Sequence, residues 1–251
     1  TVASNGAFSY DPTTSPAFNA LGVGQSTLEA FSYTISDPHG GTDNAAVNIV
    51  VLGVNDVPVA GPVNIGALEG GPSVTGSFSV TDPDVNDSHT FTINTAGLTE
   101  GSVVNNNDGT FTFSPGAEFQ DLGPGDQRIV GFTYIANDGT VDSNVAPVTV
   151  TVTGVNDDPT AEDVSGAAVE DGAPVNIAFD GDDPDDNPST LSFSILTLPA
   201  EGSVSNNFDG TFSFDPETDF QDLGVGQTRN VSITYQAIDS HAATSNIATG
   251  M

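Results

Sequence analysis

An internal repeat of about 101 residues limits the fold of this chain more than any other feature. The segment GVNDVP at 53–58 recurs as GVNDDP at 154–159, and Tyr33 recurs as Tyr134 and Tyr235. Self-similarity at a fixed period means that one structural unit is copied along the chain. The fold of one unit therefore predicts the fold of the others.

The repeat divides the chain into three parts. Residues 1–53 match the C-terminal half of a unit, residues 54–154 form a complete unit, and residues 155–251 form a unit that lacks its last strand. Both ends of the sequence thus fall inside a unit. Truncation of a longer chain is the simpler explanation, and ends that complement each other in a fibre are the alternative.

Apolar residues alternate with polar ones within each unit, which predicts strands rather than helices. Residues 148–153 read VTVTVT, and the same alternation marks Phe111–Phe113 and Phe212–Phe214. The tripeptides at 107–109 and 208–210 precede these Phe strands and are typical of hairpin turns with positive φ. No stretch of ten or more residues carries a helical stripe. About seven short strands per unit predict an all-β fold of tandem Ig-like β-sandwich repeats of about 101 residues.

The charge of the chain excludes several classes of function. It has 34 acidic residues against two Arg and no Lys, so its formal net charge is −32. No basic surface is present to bind nucleic acid phosphates, and no apolar run is long enough for membrane insertion. Cysteine is absent, which excludes disulfides and thiolate metal sites.

So many carboxylates repel one another unless cations lie close to them. Asp predominates over Glu and clusters with Asn and Gly in short loops, a composition typical of calcium sites. Scattered acids would instead indicate a solvating surface of halophilic or marine type. The acids recur at equivalent positions of the units, as Asp37, Asp138 and Asp239 do, and this favours metal binding.

The motifs of the unit resemble those of a known class of repeats. The matching segments are DGTF at 108–111, FQDLG at 119–123, FTY at 132–134 and TGVNDDP at 153–159. In these features the unit is similar to the VCBS-type and cadherin-like tandem repeats of large bacterial type I-secreted (RTX) adhesins. The resemblance implies cadherin-like β-sandwiches, a location outside the cell or on the bacterial cell surface, and Ca²⁺ at each junction between units.

Cadherin calcium motifs are placed on this sequence one residue at a time. Glu69 and Glu170 resemble the strand-A glutamate, and the two DPD segments resemble the Asp-x-Asp motif. The segments 136–138 and 237–239 resemble the Ala-x-Asp motif, and the two Asn-Asp pairs resemble the linker. Short loops at one end of a sandwich converge, so these carboxylates are expected to meet at the linker. The predicted metal ligands are Asn55, Asp56, Asp82, Asp84 and Asp138 at the first junction, and Glu69, Asn156, Asp157, Asp183, Asp185 and Asp239 at the second.

Two departures from the cadherin pattern lower the number of carboxylates at each junction. Gly53 and Gly154 begin the linkers where cadherins place another acid, and the Leu-Asp-Arg-Glu element is missing. One or two ions per junction are therefore expected. The additional acids Asp180 and Asp186 are expected to be solvated.

The sequence carries no catalytic pattern, so we expect the chain not to be an enzyme. The three histidines His39, His89 and His241 are not at equivalent positions, and no nucleophile elbow or phosphate loop is present. Arg128 and Arg229 are equivalent and are expected to be cross-strand charge partners. The Phe and Tyr residues alternate along strands, which indicates core packing.

These observations predict a calcium-stabilised spacer that extends a bacterial surface adhesin or biofilm protein. Its expected partners are calcium and neighbouring repeats of the same chain or copies of itself. The alternatives are a subunit of an extracellular fibre assembled by strand complementation, and a module whose loops bind a carbohydrate or another ligand. A unit whose loops differ from those of the others would favour the binding module.

Overall fold

The computed structural model of the protein describes residues 6–251 and is almost entirely β-structure. Its first elements are α1 (Pro16–Asn19), β1 (Ser26–Ser36) and β2 (Thr42–Leu52). The middle repeat contains β3 (Val59–Ala60), β4 (Val63–Leu68), β5 (Val74–Ser77), β6 (Val80–Thr81), β7 (Thr90–Asn94), β8 (Ser102–Asn105), β9 (Thr110–Ser114), β10 (Gln127–Asn137) and β11 (Ala146–Thr153). The last repeat contains β12 (Thr160–Ala161), β13 (Val175–Ala178), β14 (Gly181–Asp182), the 3₁₀ helix η1 (Pro188–Thr190), β15 (Ser192–Thr197), β16 (Ser203–Asn206), β17 (Thr211–Asp215), β18 (Ile233–Ile238) and β19 (Ala248–Gly250).

The chain forms two compact units. Unit 1 comprises the residues up to 66 together with 73–114 and 129–151, and unit 2 comprises 67–72, 115–128 and 152–251. None of the helices among the described residues is long and apolar enough to cross a membrane.

The middle repeat contains the two facing sheets of a β-sandwich. One sheet has the strand order β4-β11-β10-β7, the other has the order β5-β9-β8, and β3 pairs with β6. Alternate residues of β11 are buried, as the period of two predicts. Buried aromatic rings fill the interior: Phe78 packs on Tyr134 with ring centroids 4.7 Å apart and on Phe111 at 5.1 Å. Phe111 in turn contacts Phe132 edge-on at 5.2 Å.

The last repeat, in unit 2, has the same design. Its sheets are β13-β17-β16 and β15-β18-β19, with β12 paired to β14. Phe179 stacks on Phe193 at 4.8 Å and contacts Phe212 and Tyr235 at 5.0 and 4.8 Å. The spacing of the aromatic residues in the sequence therefore translates into an equivalent core in each repeat.

Tyr134 and Tyr235, at equivalent positions of the two repeats, each tie two backbone segments together. The Tyr134 hydroxyl lies 2.6 Å from the carbonyl oxygens of both Gly61 and Ser79, and accepts a bond from the Ser79 amide. Tyr235 bonds in the same way to the Glu162 carbonyl and to Asp180. Burial raises the pKa of both phenols, so they stay protonated and able to donate.

The hairpin turns predicted from the sequence are confirmed. Asn107 and Gly109 have positive φ between β8 and β9, and Phe208 and Gly210 have positive φ between β16 and β17. Residues 78–81 alternate as one strand would, but only the last two form a strand. β5 ends at Ser77 and β6 begins at Val80, so Phe78 and Ser79 split the two strands. The split has a cause, since the Phe78 amide bonds to the Gly109 carbonyl and Ser79 bonds to Tyr134 instead of a neighbouring strand.

Candidate metal centres

Acidic and asparagine side chains form two clusters around the linkers of the chain, one within each compact unit. Site 1 consists of Asn55, Asp56, Asp82, Asp84, Asp87 and Asp138 in unit 1, and site 2 consists of Glu69, Asn156, Asp157, Asp183, Asp185 and Asp239 in unit 2. All eleven predicted ligands thus fall in one of the two clusters. Their role as ligands remains a prediction.

Each linker begins with a glycine because no side chain fits there. A Cβ on Gly53 would lie 2.2 Å from the carbonyl oxygens of Leu21 and Gly22, and a Cβ on Gly154 would lie 2.3 Å from that of Gly123. The Gly154 amide also donates to the Asp126 carbonyl at 2.8 Å. Close backbone packing therefore excludes an acid at this position, which explains the departure from the cadherin pattern.

The linker asparagine fixes the cluster through its side-chain amide. The Asn156 Nδ2 donates to the Asp239 carboxylate at 2.6 Å and to the Asp157 carbonyl at 2.8 Å. In site 1, the Asn55 Nδ2 donates to the Asp138 carboxylate at 2.9 Å and to the Asp56 carbonyl at 2.7 Å. Because the nitrogen is used in these bonds, the carbonyl oxygen of the side chain is directed elsewhere.

The DPD segments form turns that close on the linker. The Asp185 amide donates to Asp183 Oδ1 at 3.1 Å, and Asp84 donates to Asp82 Oδ1 at 3.0 Å. In site 1, the Asp56 amide donates to Asp84 Oδ2 at 2.8 Å. The equivalent hydrogen bond of site 2, from the Asp157 amide to Asp185 Oδ2, is longer, at 3.4 Å. Asp84, Asp183 and Asp185 each use one oxygen to hold the loop and have no hydrogen-bond partner on the other among the described residues.

The aspartates that follow β10 and β18 are held by backbone amides. Asp138 Oδ1 accepts from Thr140 and Val141 at 2.6 and 2.8 Å, and Asp239 Oδ1 accepts from His241 and Ala243 at 2.9 and 2.8 Å. Burial raises the pKa of these carboxyls, but the hydrogen bonds outweigh it and lower the pKa of both. Both are therefore ionised at neutral pH.

Glu69 contributes to site 2 from the turn that follows β4. Its side chain is 1% exposed, and its Oε1 accepts a 2.6 Å bond from the Val155 amide in the linker. Burial raises the pKa of Glu69, and the charges of Asp157 and Asp121 raise it further. The glutamate thus joins the end of one repeat to the linker while carrying an unfavourable buried charge.

Site 2 contains five buried side-chain oxygens that have no hydrogen-bond partner among the described residues. They are Glu69 Oε2, Asn156 Oδ1, Asp157 Oδ2, Asp183 Oδ2 and Asp185 Oδ1. Buried polar atoms are usually satisfied, so each exception needs an explanation. These atoms are all acceptors, all belong to the predicted ligand set, and offer hard oxygen ligands of the type that calcium prefers.

The electrostatics of site 2 indicate a missing positive charge. Burial, together with the charge of Asp183, raises the pKa of Asp157, and burial with the neighbouring Asp183 raises the pKa of Asp185 to about 6. Arg128 pairs with Asp121, which is not a member of the site, at 2.8 Å. Arg229 pairs with Glu201 and Asp222. Asp121, Glu201 and Asp222 lie in loops, so these three ion pairs join an arginine to a loop rather than to a facing strand.

Asp87 of site 1 and the neighbouring His89 are not among the predicted ligands. Asp87 joins Asp82 and Asp138 in a group whose ligand atoms all lie within 4.8 Å of one another. Burial raises the pKa of Asp87, as do the charges of Asp84, Asp82 and Asp138. His89 Nε2 lies 2.9 Å from Asp82 Oδ2. One buried oxygen of this site, Asp84 Oδ1, has no hydrogen-bond partner in residues 6–251.

Near site 2, Asp186 is not the solvated acid that was expected. Its Oδ2 accepts from the backbone and hydroxyl of Ser240 at 3.0 and 2.7 Å, and these bonds lower its pKa. It forms a group with Asp239 and the exposed His241. The surplus of acids around the DPD segment gave no indication that Asp186 would bond to Ser240. Asp180 is exposed, as expected.

Comparisons with known proteins agree with this architecture. Residues 55–154 match the family of the bacterial cadherin-like domain, and residues 156–249 match the bacterial Ig domain. A crystal structure of mouse protocadherin-24 EC1-3 is similar over 89% of this chain and 79% of its own, with 15% identity and a TM-score of 0.50. Mouse clustered PcdhgC3 EC1-3 gives the same identity and TM-score over 93% and 79%. No curated protein sequence matches the chain.

Proposed function

We propose that this chain of tandem cadherin-like β-sandwich repeats is a calcium-stabilised spacer from a bacterial adhesin of the VCBS and RTX type. The observation that supports the proposal most strongly is the set of five unpartnered, buried oxygens in site 2. Their number approaches the six to eight oxygens that a calcium ion takes, and water would complete the shell.

The residues of the chain prepare the site in three ways. Asn156 orients Asp239, the DPD turn presents Asp183 and Asp185, and Glu69 holds the linker through the Val155 amide. A bound calcium ion would supply the positive charge that the buried carboxylates lack. Binding then favours the folded linker, because the unfolded chain does not bring these ligands together.

The location outside the cell is part of the same proposal. Both matched families are bacterial domains of cadherin and Ig type. Calcium is abundant outside cells, so a calcium-dependent linker is rigid there. Repetition of such units extends an adhesive part away from the surface.

The proposal is tested by measuring thermal unfolding and small-angle scattering of the whole chain after calcium removal and after calcium is restored. We expect calcium to raise the melting temperature by several degrees and to give a longer, stiffer particle. Ligands that bind only the folded state raise its stability as their concentration increases. Asp183→Asn and Asp185→Asn should each remove most of the effect that comes from site 2.

Asp182→Asn is the matched control for these substitutions. Asp182 neighbours Asp183, loses the same formal charge in the variant and is exposed. It should respond to calcium like the unaltered chain. If calcium changes neither quantity in the unaltered chain, the acids only solvate the surface and the proposal is wrong.

A further inference from the structure

The two sites differ in the hydrogen bonding of one carboxylate oxygen. Asp183 and Asp82 are the first acids of the two DPD segments, and each uses Oδ1 to accept the amide of the second acid. The remaining Oδ2 of Asp183 has no hydrogen-bond partner among the described residues. The Oδ2 of Asp82 lies 2.9 Å from His89 Nε2.

The two repeats also carry different residues where the loop after the DPD segment reaches the next strand. Phe91 stacks on Phe78 at 4.6 Å and Phe193 stacks on Phe179 at 4.8 Å, so the two rings occupy equivalent places. The residue two positions earlier is His89 in one repeat and Leu191 in the other. Leu191 is 8% exposed, belongs to the hydrophobic core and has no side-chain donor. It leaves Asp183 Oδ2 available.

We infer that His89 lowers the calcium affinity of site 1, so that site 1 fills after site 2 as calcium rises. This inference rests on the proposed function. A carboxylate only accepts hydrogen bonds, so the imidazole N–H donates to Asp82 Oδ2. A cation that uses this oxygen must break the bond or share the oxygen with it.

The burial of the His89–Asp82 hydrogen bond makes it harder for a cation to displace. The side chains of Asp82 and His89 are 4% and 14% exposed, so water replaces the lost bond poorly. Asp84, which is 2% exposed, still directs an unpartnered oxygen into the protein, and Asp87 adds a carboxylate near Asp82. Site 1 therefore retains the ligands for a cation but is partly satisfied without one.

The test is a calorimetric calcium titration of the whole 251-residue chain, stripped of calcium, near neutral pH. Two classes of site are expected. Asp185→Asn should remove the tighter class and Asp84→Asn the weaker, which assigns each class to a site. His89→Leu, which copies the residue of the next repeat, should tighten the weaker class about tenfold, because one hydrogen bond to a charged group is released.

His89→Ala is the second variant, since it removes the donor without adding apolar bulk, and it should give the same direction of change. Circular dichroism of both variants without calcium verifies that they fold. Unchanged or weaker binding at site 1 in both folded variants overturns the role of His89 while leaving the spacer proposal intact. Failure of the unaltered chain to bind calcium at either site overturns the proposed function, and the inference with it.

Discussion

Glu69 combines two opposing properties in one side chain. It is the most deeply buried acid in the core, and one of its oxygens bonds to Val155 while the other has no partner among residues 6–251. A buried carboxylate of this kind is unfavourable alone and favourable beside a cation. Its contribution to stability therefore depends on whether metal is bound.

Glu69→Gln should consequently act in opposite directions in the two conditions. Gln keeps the acceptor for the Val155 amide but removes the buried charge. Without calcium we expect the variant to be more stable than the unaltered chain by about 1 kcal/mol, and with calcium less stable by about 1–3 kcal/mol. Urea unfolding in both conditions measures the two signs. The same sign in both would show that Glu69 has no metal-linked role.

The raised pKa values in site 2 predict how stability varies with pH. Asp185 has a folded-state pKa of about 6 against an ordinary value of 3.8, so the folded state retains the proton longer than the unfolded state. The resulting stability is fully present below the ordinary pKa and is lost as pH rises through the folded pKa. Glu69 and Asp157, whose pKa values are also raised, act in the same direction.

We therefore expect the calcium-stripped chain to become less stable between about pH 4 and pH 7. Melting temperatures across this range measure the slope, and Asp185→Asn should flatten it near pH 6. Calcium should reverse the trend, because the ligands must be ionised to bind it. A calcium-stripped chain whose stability rises over this interval would contradict the assignment.

The predicted ligand set rests on repetition in the sequence, and repetition gave no signal for Asp87 of site 1 or for the neighbouring His89. Acids at equivalent offsets, such as Asp82 and Asp183, were selected because they recur. Asp87 and His89 do not recur, since the DPD loop of the last repeat has one more residue and continues into η1. Their roles depend on loop conformation, which a comparison of repeats does not provide.

Among the elements, the hairpins between β8 and β9 and between β16 and β17 show how turn chemistry constrains a strand pair. The first turn places Asn107 at φ 60°, and the second places Phe208 at φ 58°. Asn tolerates this left-handed conformation, whereas a bulky residue is strained there. Phe208 is also 90% exposed, so packing does not compensate for the strain.

Phe208→Asn should therefore stabilise the protein by about 1 kcal/mol, which is the scale of the left-handed penalty. The reciprocal Asn107→Phe should destabilise it by a similar amount. Both effects should be the same with and without calcium, and urea midpoints in the two conditions test this. A destabilising Phe208→Asn would show that the ring makes a contact that offsets its conformation.

The strands themselves were predictable because burial on alternate residues is a local property. The VTVTVT run became most of β11, and the Phe-x-Phe segments became β9 and β17. The interruption at Phe78 and Ser79 was not predictable. It depends on the Tyr134 hydroxyl and the Gly109 carbonyl, which are distant in sequence.

At the scale of the whole molecule, the net charge of −32 opposes folding through self-repulsion. Sodium chloride should raise the melting temperature of the calcium-stripped chain, because the Debye length falls to about 10 Å at 0.1 M salt. Calcium at equal ionic strength should raise it much further, and magnesium less, since magnesium requires a stricter octahedral geometry.

The double variant Asp183→Asn and Asp185→Asn should keep its response to sodium chloride and lose the calcium-specific part contributed by site 2. Scanning calorimetry in the three salts compares these effects directly. Equal responses to all three salts at matched ionic strength would indicate screening alone.

The pairing of the two arginines has a further consequence, for proteolysis. Trypsin-like proteases cleave after Lys and Arg, and this sequence offers them only Arg128 and Arg229. Each guanidinium is held by loop carboxylates and lies over a phenylalanine ring, at 5.8 Å in one repeat and 6.0 Å in the other. A protease must extract the side chain from these contacts and open the backbone around it before cleavage. We therefore expect the folded repeats to resist trypsin-like proteases.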